Sequence, residues 1–535
     1  MINVTGNYPY PSRRNAVYGG RGMVATSHPL AAEAGMAVFR KGGNAIDAAV
    51  AAAAALSVVD PMSTGPGGDL FAIVYANGEL HGLNASGHSA GAMTLEALKE
   101  RGYSHVPGTG WLSVTVPGGP AGWAALCKRF GKLPMPDTFA PAVELAQGHP
   151  VSGGYASCTN RYIKEFGEKN KKEDGIYSPW FDAFAPEGKS LNIGDMVSLK
   201  DLGAALAEIA ATEAESFYRG TLAKAITDYA RRTGGLLDYE DFESYQCEWV
   251  QPISANYRGY DLWELPPNCQ GITPLIALNI MEGFTPHSRE DVQTVHRQIE
   301  SMKLAFADAY AYIADPNHAK VDVSALISKD YAAKRRDLIT EEAQIPRAGE
   351  PYKGGTVYLC AADGEGNMIS LIQSVAMSYG SGVVVPGTGL LLQNRGSNFS
   401  SKPGHPNFIG PRKRPYNTII PGFITKDSHP IGPMGVMGGY MQPQGHMQVL
   451  MNMVDFGMNP QSALDAPRWS WQKDKHVSME VSWSKAVLEA LQARGHELNI
   501  TNDGNYGRGA VIVRMENGVL CGGTEPRSDG AIAAF

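Results

Sequence analysis

Several things are missing from this sequence, and each absence closes off a class of function. There is no Cys-x-x-Cys pair, because the six cysteines (Cys127, Cys158, Cys247, Cys269, Cys360 and Cys521) are dispersed. Such spacing supports neither a zinc site nor an iron–sulfur cluster, so no metal and no cofactor is expected. In a chain of 535 residues they read as reduced core thiols, which makes the cytoplasm the expected compartment. There is no basic excess. The 46 Lys and Arg residues against 53 Asp and Glu give a net charge of −7, so neither a nucleic acid nor an anionic membrane has an electrostatic reason to bind. Long apolar runs are lacking too. The most apolar stretch, Ala45–Val59, contains Asp47 and Ser57 and falls short of the ~20 residues a membrane span needs; it reads as a buried alanine-rich helix. Arg13 and Arg14 are followed by no apolar stretch, which argues against a secretory signal. Internal repeats are lacking as well.

What is present is a large apolar fraction, 43% against 19% charged, which is the balance of a folded chain with a sizeable core. Residues 23–90 alternate helix and strand signals. Ser27 is placed to cap a helix entered by Pro29, and Asn44 to cap the helix through Val59. Gly65-Pro66-Gly67-Gly68 is a tight loop, and Asn77-Gly78 joins Phe71–Tyr75 to Leu80–Leu83 as a hairpin. Leu199–Ala211, Leu222–Arg232 and Asp291–Tyr312 carry helix periodicity. The apolar stripe on the last of these is core packing. Glu341–Gly355 is polar, rich in Pro and Gly, and reads as an exposed linker. Beyond it, Val357–Ala362 and Met368–Val375 are strands around the turn Asp363–Asn367, a helix is expected over Gly445–Phe456, and Asn517-Gly518 turns a second hairpin.

The informative junction is Gly354-Gly355-Thr356, where the linker meets a strand. A threonine at a strand start is ordinary. If the Gly355–Thr356 bond were cut, however, Thr356 would carry a free α-amine beside its own hydroxyl. An α-amine titrates near ~7.7–8.0, so it can act as base for that hydroxyl at neutral pH. Other motifs are weaker. Gly380-Ser381-Gly382 and Gly387-Thr388-Gly389 read as turns, His405 and His446 as structural histidines, and Cys360 as a packed thiol.

At this point the sequence resembles the gamma-glutamyltranspeptidase family of N-terminal-nucleophile hydrolases. The matching stretches run in order: Thr26–Ala31 and Gly42–Ala49, then Gly67-Gly68, Val116–Gly119, Phe217–Gly220, Tyr257–Tyr260, Ala305–Asp308 and Asp315-Pro316. Lys413-Arg414-Pro415, Gly438-Gly439 and Pro526–Asp529 complete them. The resemblance implies an α+β, four-layer αββα fold and self-cleavage before Thr356. The precursor would divide into a large chain, 1–355, and a small chain, 356–535, which remain associated in one domain. It implies Thr356 as nucleophile, Ser374 as the supporting hydroxyl, and the backbone N–H groups of Gly438 and Gly439 as the oxyanion hole. Their place ahead of a helix suits developing negative charge.

The sequence departs from the family's pattern around the substrate. Val357 and Tyr358 stand where the family commonly has a threonine and a histidine. An arginine for the glutamyl carboxylate is matched by Ser86, an aspartate for the α-amine by Asn398, a paired serine by Asn417-Thr418, and an asparagine by Ala376. Arg395 is available as a replacement cation for a carboxylate. The expectation is an amide whose acyl group carries a carboxylate, glutaryl-like or oxamate-like, hydrolysed through an acyl-threonine ester. Two alternatives stand beside it: a gamma-glutamyl hydrolase or transferase acting on glutathione, and an uncleaved, inactive binding protein. The partner expected is a small-molecule amide, with a homodimer left open.

Overall fold

In the computed structural model, the described residues are 14–172, 175–346, 357–502 and 506–535. Gly355 and Thr356, with the rest of the linker from residue 347, lie outside them. Two seven-stranded sheets, antiparallel throughout, form the middle of the molecule. The first runs in the order Val17–Gly19, Leu520–Thr524, Arg508–Arg514, His429–Met437, Gly422–Lys426, Tyr260–Glu264, Ile253–Tyr257. The second runs Ala531–Ala534, Gly22–Thr26, Val357–Asp363, Met368–Ser374, Asp69–Ala76, Glu79–Ala85, Glu248–Val250.

The sheets pack face to face. Tyr358 reaches from the second sheet onto Gly435 of the first, where a Cβ would sit 2.3 Å from its ring. Only a glycine lets the ring lie there, and the Tyr358 hydroxyl finds Ser370 Oγ at 2.9 Å. Helices cover the outer faces. Pro29–Arg40 and Ala45–Val59 lie on the second sheet, and Ile272–Glu282 and Met441–Val454 on the first. One apolar cluster fills the helix face of the second sheet and reaches Phe423, Met437 and Ile512 of the first; the other lies between the first sheet and its helices, and the sum is the expected αββα sandwich.

Local chemistry explains the elements nearest the site. Every residue of Ala45–Val59 is buried, and alanine keeps the helix thin enough to lie between a sheet and its neighbours. Asn44 and Asp47 cap it reciprocally. Asn77 and Gly78 both have positive φ (54° and 85°), the backbone a two-residue hairpin needs. Two expectations are corrected. The cap before Pro29 is His28, whose Nδ1 accepts from Leu30 N–H, and not Ser27. The helix expected from Gly445 begins four residues earlier, at Met441. Pro443 falls in its first turn, where a proline's missing N–H costs nothing. All six cysteines are free thiols, with Cys269, Cys360 and Cys521 buried. Among the described residues no helix is long and apolar enough to cross a membrane.

Candidate active site

Ser374 ends the strand Met368–Ser374, directly opposite Asp69 on the neighbouring strand. On its other side, Val357 is paired with Gln373. The Ser374 hydroxyl accepts from Ala376 N–H at 2.8 Å. Gly68 backs onto this strand end so closely that a Cβ would meet Ser374 O at 2.4 Å. The loop that follows is held by Asn394, whose Oδ1 accepts from Met377 N–H and whose own N–H donates to Val375 O.

One residue after Asn394, the Arg395 side chain is almost wholly buried. Its Nη1 donates to Thr418 Oγ1 at 2.7 Å. Its Nε lies 3.8 Å from Asp69 Oδ2, close enough for charge to act and too long for a hydrogen bond. Both Nε and Nη2 lack a hydrogen-bond partner among the described residues. Burial pushes the guanidinium down to about 10, with Asp69 and then Tyr440 opposing, so it stays charged at neutral pH. Burial raises the Asp69 carboxyl, against the pull of Arg395 and the donors around it. Those donors are Gly87 N–H and Gln393 Nε2 on Oδ1, and Asn417 Nδ2 on Oδ2, at 2.8–3.0 Å.

The remaining residues singled out in the sequence gather around this pair. Asn417 is bound to Asp69, and Thr418 to Arg395. Ser86, just before Gly87, donates its hydroxyl to Asn84 Oδ1 at 2.7 Å, and its carbonyl accepts from Arg414 and Tyr245. Asn398 donates Nδ2 to Tyr416 O. It is half-buried and uncharged.

Gly438 and Gly439 sit between the strand His429–Met437 and the helix Met441–Val454 with φ of 129° and 60°. A side chain would strain both positions. Gln270 ties them to the arginine's neighbourhood: its Nε2 donates to Gly439 O at 2.9 Å and to Thr418 O at 2.5 Å. Tyr416 donates in turn to Gln270 Oε1. Tyr310, Tyr416 and Tyr440 pack on one another at centroid distances of 5.6–6.0 Å and wall this side. The structure thus joins Ser374, Arg395, Asn417, Thr418, Gly439, Asn398 and the Ser86 loop into one connected region.

Sequence reasoning missed Asp69 and Gln270. A carboxylate directly after Gly67-Gly68, at the mouth of an apolar strand, is a signal that could have pointed to Asp69. Nothing local marks Gln270.

Two features lie apart. A groove of about 750 Å³ opens at the opposite strand ends, lined by hairpin turns with Asn77, Gly366, Lys426 and Arg514. It faces away from Ser374, because Gly366 belongs to the turn at the other end of that strand. His296, Glu300 and His496 bring ligand-type atoms within 4.8 Å of one another. His296 Nε2 meets Thr340 O and its Nδ1 meets His496 Nε2, each at 2.8 Å. The Lys303 ammonium, 2.6 Å from Glu300, puts a positive charge where a cation would sit. The group serves as a buried network holding residues 340–344. His446, expected to be structural, is paired at 2.6 Å with Glu264 under the first sheet, and His405 Nδ1 accepts from Asn407 N–H.

Comparison with known proteins bears on the fold and the family. The family model described as gamma-glutamyltranspeptidase matches residues 31–535. The crystal structure of a cephalosporin acylase from Bacillus halodurans superposes with a TM-score of 0.96 at 50% identity, covering 100% of this chain and 99% of that one. The glutathione hydrolase-like YwrD proenzyme of Bacillus subtilis is 36% identical over 96% of this chain and 99% of its own length. The oxamate amidohydrolase proenzyme of Klebsiella pneumoniae is 33% identical over 96% and 98%.

Proposed function

The chain belongs to the gamma-glutamyltranspeptidase family, and from that premise we propose that it is a self-cleaving threonine amidohydrolase whose acyl substrate carries a carboxylate. The coarser statement, a hydrolase of the gamma-glutamyltranspeptidase and acylase type, follows from family and relatives together.

The observation that carries the finer reading is Arg395. A buried guanidinium with two nitrogens unpaired among the described residues is costly unless something accepts from it. A carboxylate fits such an edge, with Thr418 beside it. Among the described residues of this site, an α-ammonium has no comparable partner. Asn398 carries no charge, and the oxygens of Asp69 already take three hydrogen bonds. Dicarboxylic monoamides of the glutaryl or oxamate kind meet this requirement.

In the proposed cycle, cleavage of the Gly355–Thr356 bond gives chains 1–355 and 356–535. The Thr356 α-amine takes the proton of its own hydroxyl, and Oγ1 attacks the amide carbonyl. Ser374 orients that hydroxyl. The oxyanion is received by the N–H groups of Gly438 and Gly439. Collapse breaks the C–N bond, the amine leaves with the proton, and an acyl-threonine ester remains. Water attacks the ester by the same route, releasing the free acid and restoring the hydroxyl.

A second reading, hydrolysis of gamma-glutamyl amides such as glutathione, is favoured by the Bacillus subtilis relative's name. The first test is the intact mass of denatured protein beside Thr356→Ala. The expected result is two fragments meeting at 355/356 in the wild type and one full-length chain in the variant. A single chain in both would replace the enzyme reading with that of an uncleaved binding protein. A rate panel of glutaryl, oxamate and glutathione substrates then separates the two enzyme readings. Substantially faster glutathione cleavage would sink the carboxylate-only acyl group.

A further inference from the structure

We propose that Asp69 is the positioning residue of the acyl-carboxylate subsite, fixing the Arg395 guanidinium so that its free edge meets the substrate's carboxylate beside Ser374; this rests on the function proposed above. The family resemblance assigns Asp69 no role, although Asp69 directly follows the matched pair Gly67-Gly68. It is identified by where its side chain stands.

Asp69 is oriented from three directions. Gly87 N–H, Gln393 Nε2 and Asn417 Nδ2 all donate to it, and each comes from a different segment of the chain. A carboxylate held in this way cannot swing. Its Oδ2 faces Arg395 Nε at 3.8 Å while both side chains are almost fully shielded from water. At that separation in a dry site the attraction is strong enough to hold the guanidinium in place without consuming a hydrogen bond. Asp69 therefore anchors the arginine at Nε by charge and leaves Nη2 as the donor open to a substrate. Thr418 fixes the other end of the same group through Nη1. The guanidinium plane is thus set from two points.

Asp69 also sets distance. It is the register partner of Ser374 in an antiparallel pair, and such partners have Cα atoms ~4.5–5.5 Å apart. The group that anchors the carboxylate receptor and the hydroxyl assigned to the nucleophile stand on adjacent strands. Because Asp69 and Arg395 together are neutral, a bound carboxylate is held by directed hydrogen bonds more than by net charge. Such a site discriminates by geometry, and it loses that discrimination when the guanidinium is free to turn.

The test uses full-length, self-processed enzyme and matched acyl anilides: glutaryl against pentanoyl, and succinyl against butyryl. Each pair differs in the terminal carboxylate. The wild type is expected to favour the carboxylate member at least tenfold in kcat/KM. Asp69→Asn keeps the volume and removes the charge. It is expected to cut that preference about tenfold through KM of the carboxylate members, with the neutral members within twofold of wild type. Equal losses on both members of a pair would mean that Asp69 is merely structural and would overturn the proposal. A wild type without any carboxylate preference would bring down the functional reading itself, and this inference with it, by a different signature. If Asp69→Asn does not fold, Gln393→Met removes one of the donors that orient Asp69 and leaves both buried charges in place. A reduced carboxylate preference with the neutral members unchanged supports the proposal, and an unchanged preference overturns it.

Discussion

Gln270 donates its side-chain amide to the carbonyl of Gly439, 169 positions further along the chain. The same nitrogen reaches Thr418 O, so one amide spans the glycine pair assigned to the oxyanion and the residue that holds Arg395. Gln270→Ala would take the side-chain donor from two buried carbonyls, leaving Gly439 O with the Gln442 N–H alone at 3.2 Å. A lost buried hydrogen bond costs about 1–3 kcal/mol, and here the cost falls on groups facing the reaction. A ten- to hundredfold drop in kcat is expected, with a smaller change in KM. Steady-state kinetics on a glutaryl anilide reads it, and an unchanged kcat would show that the glycine pair keeps its position unaided.

Arg395→Met retains the bulk of the side chain and removes its donors. Charge-assisted hydrogen bonds contribute about 1.5–3 kcal/mol. Hydrolysis of glutaryl or succinyl amides should therefore fall roughly ten- to hundredfold in kcat/KM, while a neutral acyl amide is spared. Equal loss on both would move the carboxylate receptor elsewhere.

Lys303 and Glu300 are a buried ion pair at 2.6 Å, nearly closed to water, and Lys303 also donates to Gln344 O. Removing one member strands the other charge. Lys303→Met is expected to lower stability by about 3–5 kcal/mol, read as a lower Tm. Lys303→Met combined with Glu300→Leu should recover much of the loss.

The buried Glu264 carboxyl is pushed up to about 7 by burial, with His446 opposing, against an ordinary value of 4.5. A carboxyl with a raised folded-state pKa binds its proton more tightly when folded. Its contribution is fully present below about pH 4.5 and is lost as pH rises through about 7. Relative to Glu264→Gln, which cannot titrate, the wild type should lose stability across that interval. Thermal melts of both proteins from pH 4 to 8 check it. A constant Tm difference would mean that His446 keeps the carboxylate ionised throughout.

The parts legible in the sequence are those with local causes. Asn77-Gly78 announces its hairpin because both residues tolerate positive φ, and Ala45–Val59 its burial because its polar groups are Asp47, which the cap uses, and Ser57, whose hydroxyl donates to Ala53 O. The glycine pair at 438–439 was placed before a helix correctly, although Gln442 and Pro443 hid the first turn. The site's second tier was not legible. Gln270 matters through carbonyls 148 and 169 positions away, and Asp69 through a strand register and an arginine far along the chain. No window of sequence contains those pairs. The fates of Gly355 and Thr356 rest on the experiment proposed above.

The order of strands has a consequence in time. In the second sheet, Ala531–Ala534 lies beside Gly22–Thr26, which lies beside Val357–Asp363. Residues made early in synthesis wait, with an open sheet edge, until residues made some five hundred positions later arrive. The first sheet has the same habit, setting Val17–Gly19 against Leu520–Thr524. Any chemistry that needs the finished sandwich waits for Ala531–Ala534 to be made. In both sheets, strands from before residue 347 pair with strands from after residue 356, so a cut between them would leave the two pieces joined by backbone hydrogen bonds.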